Sequence, residues 1–233
     1  MRWQAAFSDR VWRLAAIFGL SALPAQATEY VTTSGVLGDD DFYRVVACGA
    51  APGGDCSKPF IHWDTTSPLR VAFARIDRAY LGGRQKRARA AVIRALQYLN
   101  DAGAGLRLVL TETPEQADIR IYLLDTDGSA PVSGTGLDTI DGATIRGATV
   151  RVWWTNRREI TRAVIAFSTN LSIRQYESAM LEEITQALGF MTDIRNPAYN
   201  GVSVFSEDSN AAKTLGPQDI MALRRHYPPQ ESN

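Results

Sequence analysis

An α+β layered domain is the fold class the sequence predicts, and three observations predict it. Apolar segments with strand-like alternation flank one long helical stripe in the first half of the chain. A loop rich in Asp, Gly and Thr then interrupts the strands, and two helices with start and stop signals close the chain. The 233 residues, 45% of them apolar, suit one domain or one domain with an appendage. Balanced charge, 25 basic against 25 acidic side chains, gives no general attraction to nucleic acid or an anionic membrane. Two Cys and two His, His62 and His226, exclude a four-thiolate zinc module and any zinc site built from three imidazoles.

Residues 1–27 read as a secretory signal peptide. Arg2, Arg10 and Arg13 precede the apolar run Leu14 to Leu23, and Ala25-Gln26-Ala27 gives an A-x-A cleavage site. The run is shorter than the roughly 20 apolar residues that span a bilayer. No later segment resembles a transmembrane helix. Cleavage after Ala27 predicts a secreted or periplasmic product starting at Thr28. Residues 28–60 form an N-terminal extension with a short apolar centre, Phe42 to Val46, and a turn-rich stretch between Cys48 and Cys56. An oxidising compartment favours a disulfide across that loop.

Compact patterning starts near Ile61, and the domain is expected to span 61–227, with 228–233 as a tail. Leu69 to Ala74 alternates as a strand, and 84–100 is a helix with Val92, Leu96 and Leu99 on one stripe. Segments 106–110 and 119–124 are two more strands, 125–147 is a loop, and 148–154 and 163–167 are further strands around the turn Asn156-Arg157-Arg158. Trp153 and Trp154 on one strand should point to opposite faces. Ser172 followed three residues later by Gln175 is a capping-box spacing that opens a helix running to about Leu188, with Gly189 just past its end. Gly216-Pro217 starts the last helix, which stops before Pro228-Pro229.

The helix before Gly189 carries the chemistry. At 100° per residue, Met180, Leu181, Ile184 and Leu188 cover one side, Glu182 and Gln186 the other, and Glu183 the edge between them. From this pattern alone the helix is amphipathic, with a solvated polar face. Its wording, Glu182-Glu183-Ile184-Thr185-Gln186-Ala187-Leu188-Gly189, resembles the H-E-x-x-H-x-x-G helix of the zincins. In that helix two His one turn apart bind zinc and the intervening Glu polarises water. Here Glu182 and Gln186 replace the two His, Glu183 keeps the place of the base, and Thr192, followed by Asp193, stands where metzincins put a third ligand. The element order from 69 onward, Ala117-Asp118-Ile119-Arg120-Ile121, Ser203-Val204-Phe205 and the closing helix also resemble metzincins. More closely, 181–189, Asp193 and Ser203 to Asp208 resemble a bacterial exported family of unknown function with an E-E-x-T-Q-x-L-G helix. The resemblance implies a mixed sheet and a metzincin-like layered domain.

Glu182, Gln186 and Thr192 or Asp193 make an all-oxygen set, which suits Ca²⁺, Mg²⁺ or Mn²⁺ weakly and zinc poorly. No cofactor is therefore predicted, and zinc peptidase activity is not expected. Two readings remain. One is a non-hydrolytic module that binds an extended peptide or envelope protein by β-augmentation. The other is a hydrolase using Glu183 with a non-zinc metal or none. The acidic loop Asp125-Thr126-Asp127-Gly128 reads as a polar turn, lacking the later acidic ligand of an EF-hand.

Overall fold

The computed structural model describes residues 25–26 and 29–229. The expected leader lies outside the described residues except for Ala25 and Gln26. These two form β1 (Ala25–Gln26), followed by β2 (Glu29–Thr32) and helix α1 (Asp39–Cys48). Next come β3 (Leu69–Ile76), α2 (Gly83–Asp101), β4 (Leu108–Leu110), β5 (Ile119–Leu124), β6 (Ala148–Trp154) and β7 (Ile160–Ser168). Helix α3 (Tyr176–Gln186), β8 (Thr192–Arg195) and α4 (Pro217–His226) complete the chain.

A mixed sheet in the order β1-β6-β7-β5-β3-β4 organises the domain. β4, β3, β5 and β7 run parallel, whereas β6 runs antiparallel to β7 at the far side. Parallel strands are covered on both faces, so they read as nearly unbroken apolar runs. Ile119 to Leu124 and Ala163 to Phe167 follow this rule. Ile119, Ile121, Leu123 and Ile165 face the main core, and Tyr122, Leu124, Val164 and Ala166 face a smaller one under the 125–147 loop. Trp154 packs on the main core and Trp153 on the smaller, as the period of two requires. The Arg162 guanidinium lies 3.9 Å from the Trp153 ring centroid. Asp127 accepts from the backbone N–H (2.8 Å) and hydroxyl (2.5 Å) of Ser129, so that loop segment is the expected polar turn.

Helix α2 presents Ala88, Ala91, Val92, Ala95, Leu96 and Leu99 to the core and packs on α3. The small Ala residues let the two helices approach closely. Strands at 69–76 and 160–168 are longer than the expected segments, and 108–110 is shorter.

Residues 28–60 carry α1, whose Phe42, Val45 and Val46 are fully enclosed in the same core as α4. Phe42 meets Tyr199 at 5.4 Å and Phe205 at 6.0 Å between ring centroids. Asp39, Asp40 and Asp41 in the first turn of α1 complement the helix dipole, and Gly49 at φ 67° ends it in the left-handed region. Cys48 and Cys56 form the disulfide across the following loop. β2 pairs in parallel with β8, so the segment before α1 stitches onto the strand that follows α3. The pairing of 29–32 with 192–195 has no signal in the sequence, because both strands are four residues long and polar.

Candidate functional site

Helix α3 is buried nearly all round, and this corrects the expectation of a solvated polar face. Ser172 and Gln175 initiate it: Gln175 Oε1 accepts from the Ser172 backbone N–H (3.2 Å) and hydroxyl (2.7 Å). A 3₁₀ turn, Ile173–Gln175, then leads into the α-helix. At the far end Leu188 N and Gly189 N bond the carbonyls of Thr185 and Gln186, three residues back, which tightens and ends the helix two residues before Leu188. Gly189 is required there. Its φ is 106°, and a Cβ would sit 2.3 Å from the Ile61 carbonyl oxygen. This turn throws the chain directly into β8, so Asp193 returns beside Gln186. Gln186 Nε2 donates to both Asp193 oxygens, at 2.9 and 3.1 Å.

A cleft of about 410 Å³ opens along this face of α3. Gln175, Ala179, Glu182, Glu183 and Gln186 line it together with Ala148 of β6, Arg146 and Gly147 just before that strand, and Asp193, Glu207 and Asn210. Of the residues singled out in the sequence, Glu182, Glu183, Gln186 and Asp193 therefore share one site. Thr192 does not line it. Its side chain is buried and its hydroxyl accepts from Lys58 Nζ at 3.1 Å. His226 is half-buried elsewhere, its ring nitrogens against Ile61 O (2.7 Å) and the Tyr43 hydroxyl (3.1 Å), and His62 is exposed. Neither imidazole reaches the cleft lining.

The electrostatics are unusual for a protein wall. Four carboxyl groups, Glu182, Glu183, Asp193 and Glu207, line the cleft together. Glu183 is 7% exposed, and its Oε2 is buried without a hydrogen-bond partner among the described residues. Burial, and then the Asp193 charge, push Glu183 up to about 8, with Arg151 opposing. Asp193 also rises to about 8, through burial and the Glu207 charge, while the Gln186 amide and Lys58 oppose. Burial raises Glu182 well above its ordinary value, reinforced by Asp193, Glu183 and Glu207. Burial also raises Glu207, with Arg195 as the main opposing charge. Desolvation lowers Arg151, which Glu183 partly restores. At neutral pH the site thus retains protons on carboxyls that would be ionised in water.

Sequence reasoning missed Glu207, Arg151 and Arg146 as members of the site. Glu207 lies inside the Ser203–Asp208 segment quoted for the family resemblance, which was its one signal. Arg151 had none: it sits on a strand, and only the closure of β6 over α3 brings it near Glu183. Outside the cleft lining, Ser203 Oγ donates to Asp219 Oδ1 (2.6 Å), and the backbone N–H groups of Val204 and Gly216 donate to Oδ2 (3.0 and 2.8 Å). This clamp ties the 203–205 turn to the start of α4. Among the described residues, no three His, Cys, Asp or Glu are grouped so as to hold a metal ion.

A protein family described as being of unknown function (DUF2927) matches residues 41–231. The chain belongs to this family. The matched span begins inside α1 and takes in every residue of the cleft, so the family unit includes most of the segment read as an extension. No curated protein matches the chain. Among the described residues no helix is long and apolar enough to cross a membrane, and the Cys48–Cys56 disulfide is compatible with export.

Proposed function

We propose that this protein is an exported binding module on a degenerate zincin-type scaffold, and that it takes an extended peptide segment along the outer edge of β6. The observation that carries this reading is the state of that edge. β6 is a seven-residue strand next to the two-residue β1 that ends the sheet, beside the cleft. Among the described residues its outer side pairs only with Ala25 and Gln26, antiparallel, opposite Val152 and Arg151. An edge strand offers a row of unpaired N–H and C=O groups, to which an extended backbone adds by ladder hydrogen bonds. Cleavage after Ala27 would remove even the two-residue cover and open the edge.

The zincin-type scaffold is supported by several features together: the antiparallel strand β6 near the sheet edge and against α3, Gly189 at the helix's end, the Ser203–Phe205 segment later in the chain, and α4 after it. By the zincin resemblance Glu182 and Gln186 take the two His positions of the helix, and neither supplies an imidazole or thiolate. Binding therefore fits the residues present better than zinc-dependent hydrolysis. A titration of Trp153 and Trp154 fluorescence with a six-residue peptide of alternating Val and Thr tests the reading. A saturable change, lost when Val152→Pro blocks the strand, is expected; no response from the exported, folded protein overturns it.

One observation favours a second reading. Glu183 holds its proton near neutral pH in a cleft open to solvent, as a general acid must. Turnover of a peptide or ester pool that Glu183→Gln abolishes would establish a hydrolase; no turnover retires it.

A further inference from the structure

The acidic cleft lies beside the strand edge, yet a backbone ladder needs no carboxylates. Glu182, Glu183, Asp193 and Glu207 stand in one cavity of about 410 Å³, and Glu183 presents an oxygen that nothing among the described residues satisfies. A buried polar atom left unpaired is costly, and a partner that arrives later would relieve that cost. Once Glu183 is ionised, a partner that donates hydrogen bonds and carries positive charge would satisfy that oxygen and suit the four carboxyls together.

The chemistry of the acceptors narrows the choice. A divalent ion needs several oxygens converging within about 2.0–2.6 Å of one point, and no such group occurs among the described residues. The four carboxyls share a cavity without forming a coordination sphere. A planar guanidinium suits acceptors arranged in that way, because its five N–H groups point outward in a fork and reach separate oxygens. Among the cations around the cluster, Arg195 already pairs with one of its carboxyls, Glu207, whereas the Arg151 guanidinium and Lys58 donate to groups outside it. Arg151 Nη1 donates to Thr149 Oγ1 (2.7 Å) and Val150 O (3.0 Å). Arg195 bridges Glu207 (3.1 Å) and Asp208 (3.2 Å). Lys58 Nζ donates to Met191 O (2.5 Å) and Thr192 Oγ1.

We infer that the cleft is a receptor for a guanidinium group, the arginine side chain of a segment lying along β6, gripped by Glu183, Glu182 and Asp193. This inference rests on the edge-strand reading for the source of the arginine, and the cleft supplies its specificity. Gln186 holds the Asp193 carboxylate in place through its two N–H···O bonds. Binding a cation favours the charged carboxylates, so the protons kept by Glu183 and Asp193 leave to the buffer and affinity rises with pH up to about 8. The groups that shape this titration are Glu182 on α3, Arg151 on β6, Arg146 just before it, Arg195 on β8, Glu207 and Asp208 beyond it, and Lys58 before β3.

The test uses the full chain produced by an exporting, oxidising host, and two six-residue peptides of alternating Val and Thr. One carries a central arginine and the other citrulline, its neutral isostere. Calorimetry in two buffers of different ionisation enthalpy reads affinity and protons together. At least tenfold tighter binding of the arginine peptide, with proton release, is expected. Glu183→Gln should bring the ratio near one, and its unfolding midpoint shows whether it is folded. Equal binding of both peptides overturns the inference and leaves the edge reading standing. Binding of neither removes the edge reading, and the free amino-guanidine agmatine then decides: proton-linked binding supports the guanidinium site, and no binding overturns it. Binding of Ca²⁺, Mg²⁺ or Mn²⁺ alone that displaces the arginine peptide would also overturn it in favour of a metal site.

Discussion

Replacing Glu183 by Gln should make the protein more stable at alkaline pH and leave it unchanged in acid. Gln is the closest neutral match to a protonated Glu, so the substitution mimics the form the fold prefers. The sign follows from linkage. Burial raises Glu183 from 4.5 to about 8 in the folded state. Its favourable contribution is therefore complete below about pH 4.5 and is lost as pH climbs through about 8. At about 1.4 kcal/mol per pKa unit, the wild type should lose roughly 3 kcal/mol between about pH 5 and pH 8 that the variant keeps. In a domain of this size that corresponds to roughly 6–12 °C of melting temperature. Urea unfolding of both proteins across that range supplies the difference curve. Parallel pH profiles, or a variant less stable than wild type at pH 8, would refute the picture of a proton-bearing buried carboxyl.

Replacing Asp219 should destabilise the protein instead, since it satisfies three buried donors. Asp219→Ala should cost at least about 3 kcal/mol by leaving them unpaired, read as a drop in the urea midpoint; a cost under about 1 kcal/mol would mean the clamp is dispensable. His226 is pushed down to about 4 by burial, so its contribution is full above about pH 6.5 and fades as pH falls through about 4. His226→Gln should accordingly narrow the stability gap to wild type in acid, and a gap that widens there would contradict the assignment. Reducing Cys48–Cys56 should cost about 2–3 kcal/mol for a loop this short, measurable by unfolding with and without reductant; equal midpoints would show that the loop needs no staple.

The sequence carried the sheet and the helices well because their signals are local. The stripe of Val92, Leu96 and Leu99, the unbroken run 119–124 and the Ser172–Gln175 spacing each act within a few residues. The site was legible only through the wording of 182–189, and its burial was misread. Periodicity marks which residues of α3 are polar, but it cannot show that β6, β8 and the 203–210 segment fold over them. Glu183 and Gln186 thus became wall groups of a cleft instead of solvated ones. The short strands β1, β2 and β8 escaped for a related reason, as their partners lie more than a hundred residues away. Within 28–60, the enclosed Phe42 would have been the clue that this segment joins the core.

Backbone amide exchange at Ala148–Trp154 tests the central claim most directly. With the arginine-bearing peptide at saturation, the outward amides of β6 should slow at least tenfold relative to the exported protein alone, and those of the interior strand β5 should not change. Unchanged exchange along β6 while the peptide remains bound would contradict an edge-strand receptor.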